Sequence, residues 1–462
     1  MSLKNSIFAA IQEILIKMRR KIYEKLLSWK QDSDHKPLVL NGARQVGKTW
    51  IVTEFGKTEY QDFAYVNCLE GNAMRELVER DADAVRILQG LKAFVGKDIV
   101  LGRTLVFVDE VQEAVKMLPA LKSFNERIPE LDVIVAGSLL GMTMHEGVSY
   151  PVGKVDELMM FPMDFEEFLW GMGETHLADL IKDGDANSYA PFHDQLNDWL
   201  KNYFFVGGLP EAVKDFAKER SYIAARRRQN AILSGYSKDF SKHVSSEEMT
   251  FKISLIWKTL PSQIAKENKK FIFNAIKPSA RARDYETSVG WLEDAGLAVK
   301  VTRLTEMKQP AGFYHEEGSF KLFPLDCGLL GAMMGVNAKD VVMNDNIFTE
   351  YKGAFTETFV HQQLKANYED KIYYYGNDTS TAEIDFVVEA DKLVPIEVKG
   401  GRNLTAKSMV NYLKKTPGEK GYRFSDKPAH EGGMIIDMPL YDICSFARDL
   451  NRRSEAANCI HP

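Results

Sequence analysis

Leu38-Val39-Leu40-Asn41-Gly42-Ala43-Arg44-Gln45-Val46-Gly47-Lys48-Thr49 decides how the rest of the chain is read. Three apolar residues make a short buried strand. The loop Gly42, Ala43, Arg44, Gln45, Val46, Gly47, Lys48, Thr49 has the spacing G-x-x-x-x-G-K-T, and a helix follows through Trp50, Ile51 and Val52. Glycines at the two fixed positions permit turns and close approaches that a side chain would block. The loop amides and the helix N-terminus then face phosphate oxygens. In this pattern Lys48 reaches the β- and γ-phosphates, and the Thr49 hydroxyl binds Mg²⁺. Nucleotide binding is the expected chemistry.

The acidic partner of such a loop is present. Thr104-Leu105-Val106-Phe107-Val108 reads as a buried strand ending in Asp109-Glu110, and 109 − 48 = 61 residues separate Asp109 from Lys48. A carboxylate there holds Mg²⁺ through its water shell, opposite Thr49. The next carboxylate, Glu110, points elsewhere and is the candidate base for the attacking water. Val133-Ile134-Val135-Ala136 is a further strand, and Ser138 just beyond it is a candidate γ-phosphate sensor or a plain turn residue. Phe63 to Asn67 and Val85 to Val95 add a strand and a helix, with Gly90 inside the helix. Uninterrupted β-branched runs suit a parallel sheet covered on both faces. Ligands of such sheets lie at the strand C-termini, where the loop, Asp109-Glu110 and Ser138 all fall. No N-K-x-D guanine-reading sequence occurs, so ATP is the expected nucleotide.

Composition narrows the class. The chain has 462 residues, 45% hydrophobic and 27% charged, which suits a soluble globular protein of several domains. A net charge of −6 argues against an overall basic coat for nucleic acid, while leaving local basic faces open. The four cysteines Cys68, Cys327, Cys444 and Cys459 are scattered, with no C-x-x-C pair, which fits a reducing cytoplasm. No apolar run approaches the ~20 residues of a membrane span, and no membrane partner is expected. Residues 7–29 carry apolar side chains at helical spacing. That helix packs on the following domain, or lies on a membrane surface through Lys17, Arg19, Arg20 and Lys21.

Asn41 to Thr49, Val108 to Gln112 and Ala136 to Ser138 resemble the prokaryotic AAA-type P-loop ATPases that carry a C-terminal domain of unknown function with a restriction-endonuclease-like fold. Val206-Gly-Gly-Leu-Pro-Glu211, Phe323 to Leu329 and Glu383 to Phe386 match as well. One departure is Lys154 in Gly153-Lys154, where that family has arginine; lysine lacks arginine's bidentate fork. The resemblance implies an α/β multidomain chain. An N-terminal amphipathic helix (1–34) precedes an AAA-type P-loop ATPase domain with Walker A and Walker B motifs (35–165). A helical linker (166–250), a winged-helix-like domain (251–315), a nuclease-like domain (316–452) and a tail (453–462) follow.

Arg226-Arg227-Arg228 reads as a solvated helix face or a DNA-backbone contact. Lys266, Lys269, Lys270, Lys277, Arg281 and Arg283 give the winged-helix region a basic character, suited to DNA phosphates, although such modules also serve as connectors. In the last domain Glu357 falls on a helix, Asp385 on a strand, and Glu397-Val398-Lys399 on the next strand. Glu397 and Lys399 share a face. The order resembles the PD-(D/E)xK nucleases, with Glu357, Asp385 and Glu397 as metal ligands and Lys399 steadying water or phosphate. In a purely structural cluster Lys399 pairs with Glu397 or Asp385 and no metal is needed. Lys407-Ser408 is a further phosphate candidate. Two functions follow. One is an ATP-hydrolysing protein, catalysis resting on Lys48, Glu110 and Ser138, whose ATP state controls a DNA-directed nuclease. The other is an ATP-gated switch or scaffold with an inactive nuclease-like domain. DNA and a homo-oligomer are the expected partners.

Overall fold

The computed structural model describes residues 18–138, 149–244, 246–266, 269–337, 345–377, 382–400 and 405–459. The apolar stripe from Ile7 to Leu15 lies outside them. The chain forms two compact units.

One unit comprises Arg19–Phe161 with Trp291–Leu297. Its sheet has strands β1 (Leu38–Asn41), β2 (Asp62–Asn67), β3 (Thr104–Asp109), β4 (Val133–Ala136) and β5 (Asp156–Met159) in the order β2-β3-β4-β1-β5. Every pairing is parallel. β3 and β4 are buried along their whole length, as expected for central strands covered on both faces. The helix Lys48–Glu59 buries Ile51, Val52 and Phe55. Its Gly56 lies where a Cβ would come within 2.2 Å of the Phe63 ring, so only glycine lets helix and strand approach so closely. Gly90, inside the helix Ala84–Val95, is accommodated for a similar reason: a Cβ there would meet the Leu77 side chain at 2.4 Å.

The other unit contains Pro162–Gly290 and Ala298–Pro462. Residues 165–264 are mainly helical, from Phe165–Met172 to the long helices Tyr222–His243 and Glu247–Ile264. Asp164 and Glu167 form a capping box that starts the first of these. The unit's mixed sheet holds β6 (Ala298–Leu304), β7 (His315–Pro324), β8 (Ile372–Gly376), β9 (Glu383–Glu389), β10 (Leu393–Val398), β11 (Gly421–Ser425), β12 (His430–Gly432) and β13 (Ile435–Pro439). Their order is β12-β13-β11-β10-β9-β8-β6-β7.

At the end of the stretch expected to be winged-helix-like, β6 and β7 form an antiparallel hairpin. It is not a free-standing wing. β6 also pairs with β8 in parallel, which makes the hairpin the edge of the eight-stranded sheet. The boundary at residue 315 passes through it. Exposed β6 amides are satisfied by neighbouring strands, so the hairpin gains most by joining the sheet. No described helix is long and apolar enough to cross a membrane.

Candidate functional site

The loop after β1 has the conformation its glycines predict. Gly42 has φ 150° and Gly47 φ 101°, and a Cβ on Gly42 would lie 2.4 Å from the Met160 carbonyl oxygen. Gln45, between them, is also left-handed at φ 71°. Lys48 begins the helix and is only 8% exposed. Its ammonium donates to the carbonyl oxygens of Gly42 at 2.7 Å and Ala43 at 2.9 Å. Burial lowers its pKa to about 8; Glu110 and Asp109 oppose the shift and Arg44 adds to it. The cation is therefore parked on its own loop, where phosphate oxygens are better acceptors than two carbonyls.

β3 delivers the acidic pair. Thr49 Oγ1 donates to Asp109 Oδ2 at 2.7 Å, which joins the two halves of the expected Mg²⁺ site. Tyr65, on the neighbouring β2, donates to the same oxygen at 3.3 Å, and the Glu110 amide donates to Asp109 Oδ1 at 2.9 Å. Burial raises the Asp109 pKa, with Thr49 opposing and the Glu110 charge adding to it. That is the behaviour of a carboxylate short of one positive neighbour, and the set of Thr49 hydroxyl and Asp109 carboxylate fits a hard cation. Glu110 is left-handed at φ 54°, ψ 43°, an uncommon conformation for a residue with a side chain. Its Oε2 accepts from Gln112 Nε2 at 2.5 Å. Ser138 is buried two residues beyond Ala136, the β4 partner of Leu40, which itself lies two residues before Gly42. Since β4 runs between β1 and β3, Ser138 belongs to the same sheet edge as the loop and the acidic pair.

Two contributors escaped the sequence reading. Arg20 is buried and donates to the carbonyl oxygens of Val46 at 2.8 Å and Phe161 at 2.7 Å. It clamps the phosphate loop from just ahead of the helix Ile22–Gln31, so the membrane-surface role weighed for Arg20 does not hold: a buried guanidinium on two carbonyls is not a lipid contact. Gly296 packs its backbone on Ala43, where a Cβ would lie 3.3 Å from the Ala43 nitrogen. No spacing rule points to either. Lys154, the departure from the family arginine, pairs with Glu126 at 3.0 Å.

Residues 34–169 match the family model described as an AAA domain. The N-terminal region is thus similar to an AAA domain and has the parallel-sheet α/β fold of a P-loop ATPase. Residues 197–340 match a domain of unknown function, DUF8612, and residues 352–439 another, DUF4143. Neither description names an activity. Among solved structures the chain is similar to the Walker-type ATPase PABY2304 of Pyrococcus abyssi, at 13% identity and TM-score 0.44, covering 69% of this chain and 96% of that one. It is also similar to Cdc6p from Pyrobaculum aerophilum, at 10% identity and TM-score 0.28, covering 74% and 96%. A RuvB mutant from Thermotoga maritima follows at 14% identity and TM-score 0.25, covering 67% and 91%. No curated protein matches.

Beyond the AAA-type domain, the structure brings Glu357, Asp385, Glu397 and Lys399 together. Ile396 pairs with Phe386 across β10 and β9, so one step on Asp385 stands opposite Glu397 on the same face. Glu357 comes from the helix Asp345–Asn367. Two lysines absent from the sequence reading of this cluster also enter it. Lys321, on β7 and 1% exposed, lies 2.6 Å from Glu383, 3.7 Å from Glu357 and 4.0 Å from Asp385. Lys269 pairs with Glu357 and is delivered by the bridge of Lys270 to Lys321. Asp385 Oδ2 accepts from the Val398 amide at 2.8 Å, and Lys399 pairs with Glu397 at 2.5 Å.

Burial and the neighbouring Glu357 charge raise Asp385, and burial and the Asp385 charge raise Glu397. Burial opposes ionisation of Glu357 too, but Lys269 and Lys321 outweigh it and hold its pKa down. Among the described residues no group of three or more His, Cys, Asp or Glu is arranged to hold a metal ion. A divalent ion beside Glu357 and Asp385 would stand against the Lys321 ammonium, so the cluster as arranged does not fit one.

The arginine run is largely engaged. Arg227 pairs with Glu219 at 3.8 Å, and Arg228 with Glu211 at 2.9 Å and Asp215 at 2.8 Å. The Lys407 and Ser408 pair opens the helix Lys407–Leu413, and Ser408 Oγ accepts from the Glu383 amide at 3.1 Å.

Proposed function

We propose that this chain binds ATP with Mg²⁺ at Gly42 to Thr49 and hydrolyses it. The observation that carries the reading is the contact of Thr49 with Asp109 at 2.7 Å, beside a lysine parked on its own loop. Thr49 and Asp109 would hold the metal, which neutralises charge on the phosphates when bound. Lys48 leaves the Gly42 and Ala43 carbonyls for the β- and γ-phosphates. Glu110, held by Gln112, orients the attacking water and takes its proton. Ser138 faces the γ-phosphate from the end of β4. Titration calorimetry tests the reading: Lys48→Ala should abolish or strongly weaken ATP binding, and wild-type affinity in that variant overturns it.

For the C-terminal unit we favour an ATP-gated switch that recruits a partner over a DNA-cleaving enzyme. Lys321 and Lys269 support this choice, because they supply the positive charge that a nuclease site takes from metal. DNA held through Lys277, Arg281 and Arg283 remains the candidate partner, and a homo-oligomer the candidate assembly. Buried free thiols at Cys68, Cys327 and Cys444 support a reducing compartment, the cytoplasm. A Mg²⁺-dependent cleavage assay on duplex and single-stranded DNA decides between the two. Cleavage lost in Asp385→Asn would restore the nuclease.

A further inference from the structure

We propose that a cavity beside Arg226 binds a small organic acid: a carboxylate carried on an aromatic or branched apolar body. The cavity measures about 400 Å³, within the usual range for small-molecule sites. Its apolar walls are Phe205, at the end of the helix His193–Val206, with Tyr222 and Ile223 on the first turn of Tyr222–His243, and Val336; Arg226, Arg227, Asn230 and Asn337 complete the lining. The rings of Phe205 and Tyr222 meet edge to face at 5.1 Å and make a firm apolar wall. Ile223, 76% exposed, leaves an apolar side chain at the surface beside it.

The charge in this cavity is what identifies the ligand. Three arginines follow one another, and two of them meet carboxylates: Arg227 meets Glu219, and Arg228 meets Glu211 and Asp215. Arg226 meets none among the described residues. Its guanidinium lies 4.3 Å from the centre of the Phe205 ring, and its terminal nitrogens donate to the carbonyl oxygens of Gly328 at 3.3 Å and Val336 at 3.1 Å. Its Nε is buried and has no hydrogen-bond partner. A half-buried cation with only neutral acceptors is under-compensated, and burial accordingly lowers its pKa to about 10. Guanidinium is the group best matched to a carboxylate, and here it lines a cavity in which Phe205, Tyr222, Ile223 and Val336 give apolar surface, beside Arg227, Asn230 and Asn337. A ligand with one negative end and one or two rings satisfies both.

The alternative is a latch, in which Arg226 only ties the Gly328 and Val336 segments to the helix. The two ideas differ in what the full-length protein binds. The probes are 2-naphthoate and its uncharged counterpart 2-naphthamide, titrated by ligand-observed NMR. The site predicts that naphthoate binds about tenfold or more tightly than the amide, the scale of one charge-assisted hydrogen bond. Arg226→Gln should abolish that preference. Asn230→Trp, an exposed position lining the cavity one turn from Arg226, should block both probes while keeping the guanidinium. Equal binding of acid and amide, no binding of either, or naphthoate binding unchanged in both variants overturns the proposal.

Discussion

Replacing Lys321 with methionine removes one charge and little volume from the carboxylate cluster. In the folded chain Glu357, Glu383, Asp385 and Glu397 stand among Lys269, Lys321 and Lys399, four carboxyl groups against three ammonium groups. Lys321 is the cation that touches most of them, at 2.6, 3.7 and 4.0 Å. At an effective dielectric constant of about 20, each such pair is worth about 4–6 kcal/mol before desolvation is counted. Desolvation of Lys321 itself offsets much of that, and breaking a buried pair from one side costs about 3–5 kcal/mol in net terms. Lys321→Met is therefore expected to lower the unfolding free energy by about that amount, read from urea denaturation followed by circular dichroism.

The pH dependence carries a sign. With the lysine gone, Glu357 loses a cation that holds its pKa down, and the already raised pKa of Asp385 rises further. The folded state then binds more protons than the unfolded state above the ordinary carboxylate range, so its stability falls as pH rises through that window. The defect should be large at pH 7 and shrink toward pH 4. A loss below about 1 kcal/mol at pH 7, or one independent of pH, would refute the reasoning, because it would mean that the carboxylates are compensated by solvent or another ion.

Two further outcomes follow from the phosphate loop. ATP binding should take up protons above pH 8: the free-state Lys48 pKa is about 8, phosphate raises it, and affinity is level below that pH and falls above it. Calorimetry in buffers of different ionisation enthalpy reads the uptake directly, and buffer-independent heats at pH 8.5 would contradict it. Arg20→Met should cost about 1–3 kcal/mol of stability, since it strands the buried Val46 carbonyl and the part-buried Phe161 carbonyl, and should weaken ATP binding by loosening the loop. Unchanged stability and ATP affinity would remove the clamp from the account.

The phosphate loop, the acidic strand end and the parallel sheet were legible because they are written locally. A run such as Thr104 to Val108 fixes both a strand and its burial, and G-x-x-x-x-G-K-T fixes a backbone path. The softer motifs had a local form but no legible reason. Structure supplies one: the Gly208 amide donates to Asp326 Oδ2 at 2.6 Å, and a Cβ on Gly207 would fall 2.2 Å from Asp326 Oδ1. Asp326 also accepts from the Leu329 amide at 2.9 Å and from Gln362 at 3.1 Å. The glycine pair and the Pro-Leu-Asp-Cys-Gly stretch are thus two sides of one buried contact.

Lys321 and Lys269 were not legible as partners of Asp385. Their positions, more than sixty residues upstream, gain meaning only once β7 joins the sheet that carries β9 and β10. Arg20 was hidden for the reverse reason. It sat in the basic run weighed as a membrane-surface contact, and only burial separates it from Lys21. Sequence periodicity likewise does not say which sheet the β6–β7 hairpin extends.

The most direct test is the rate of ATP hydrolysis by the wild-type chain and by Glu110→Gln, each saturated with Mg²⁺ and ATP in a single-turnover experiment. The substitution keeps the side chain's size and leaves Gln112 a partner, while removing the group that accepts the proton. The account predicts that ATP stays bound and that hydrolysis slows by ~10² or more. Hydrolysis at the wild-type rate in Glu110→Gln, with ATP bound at Gly42 to Thr49, would contradict it.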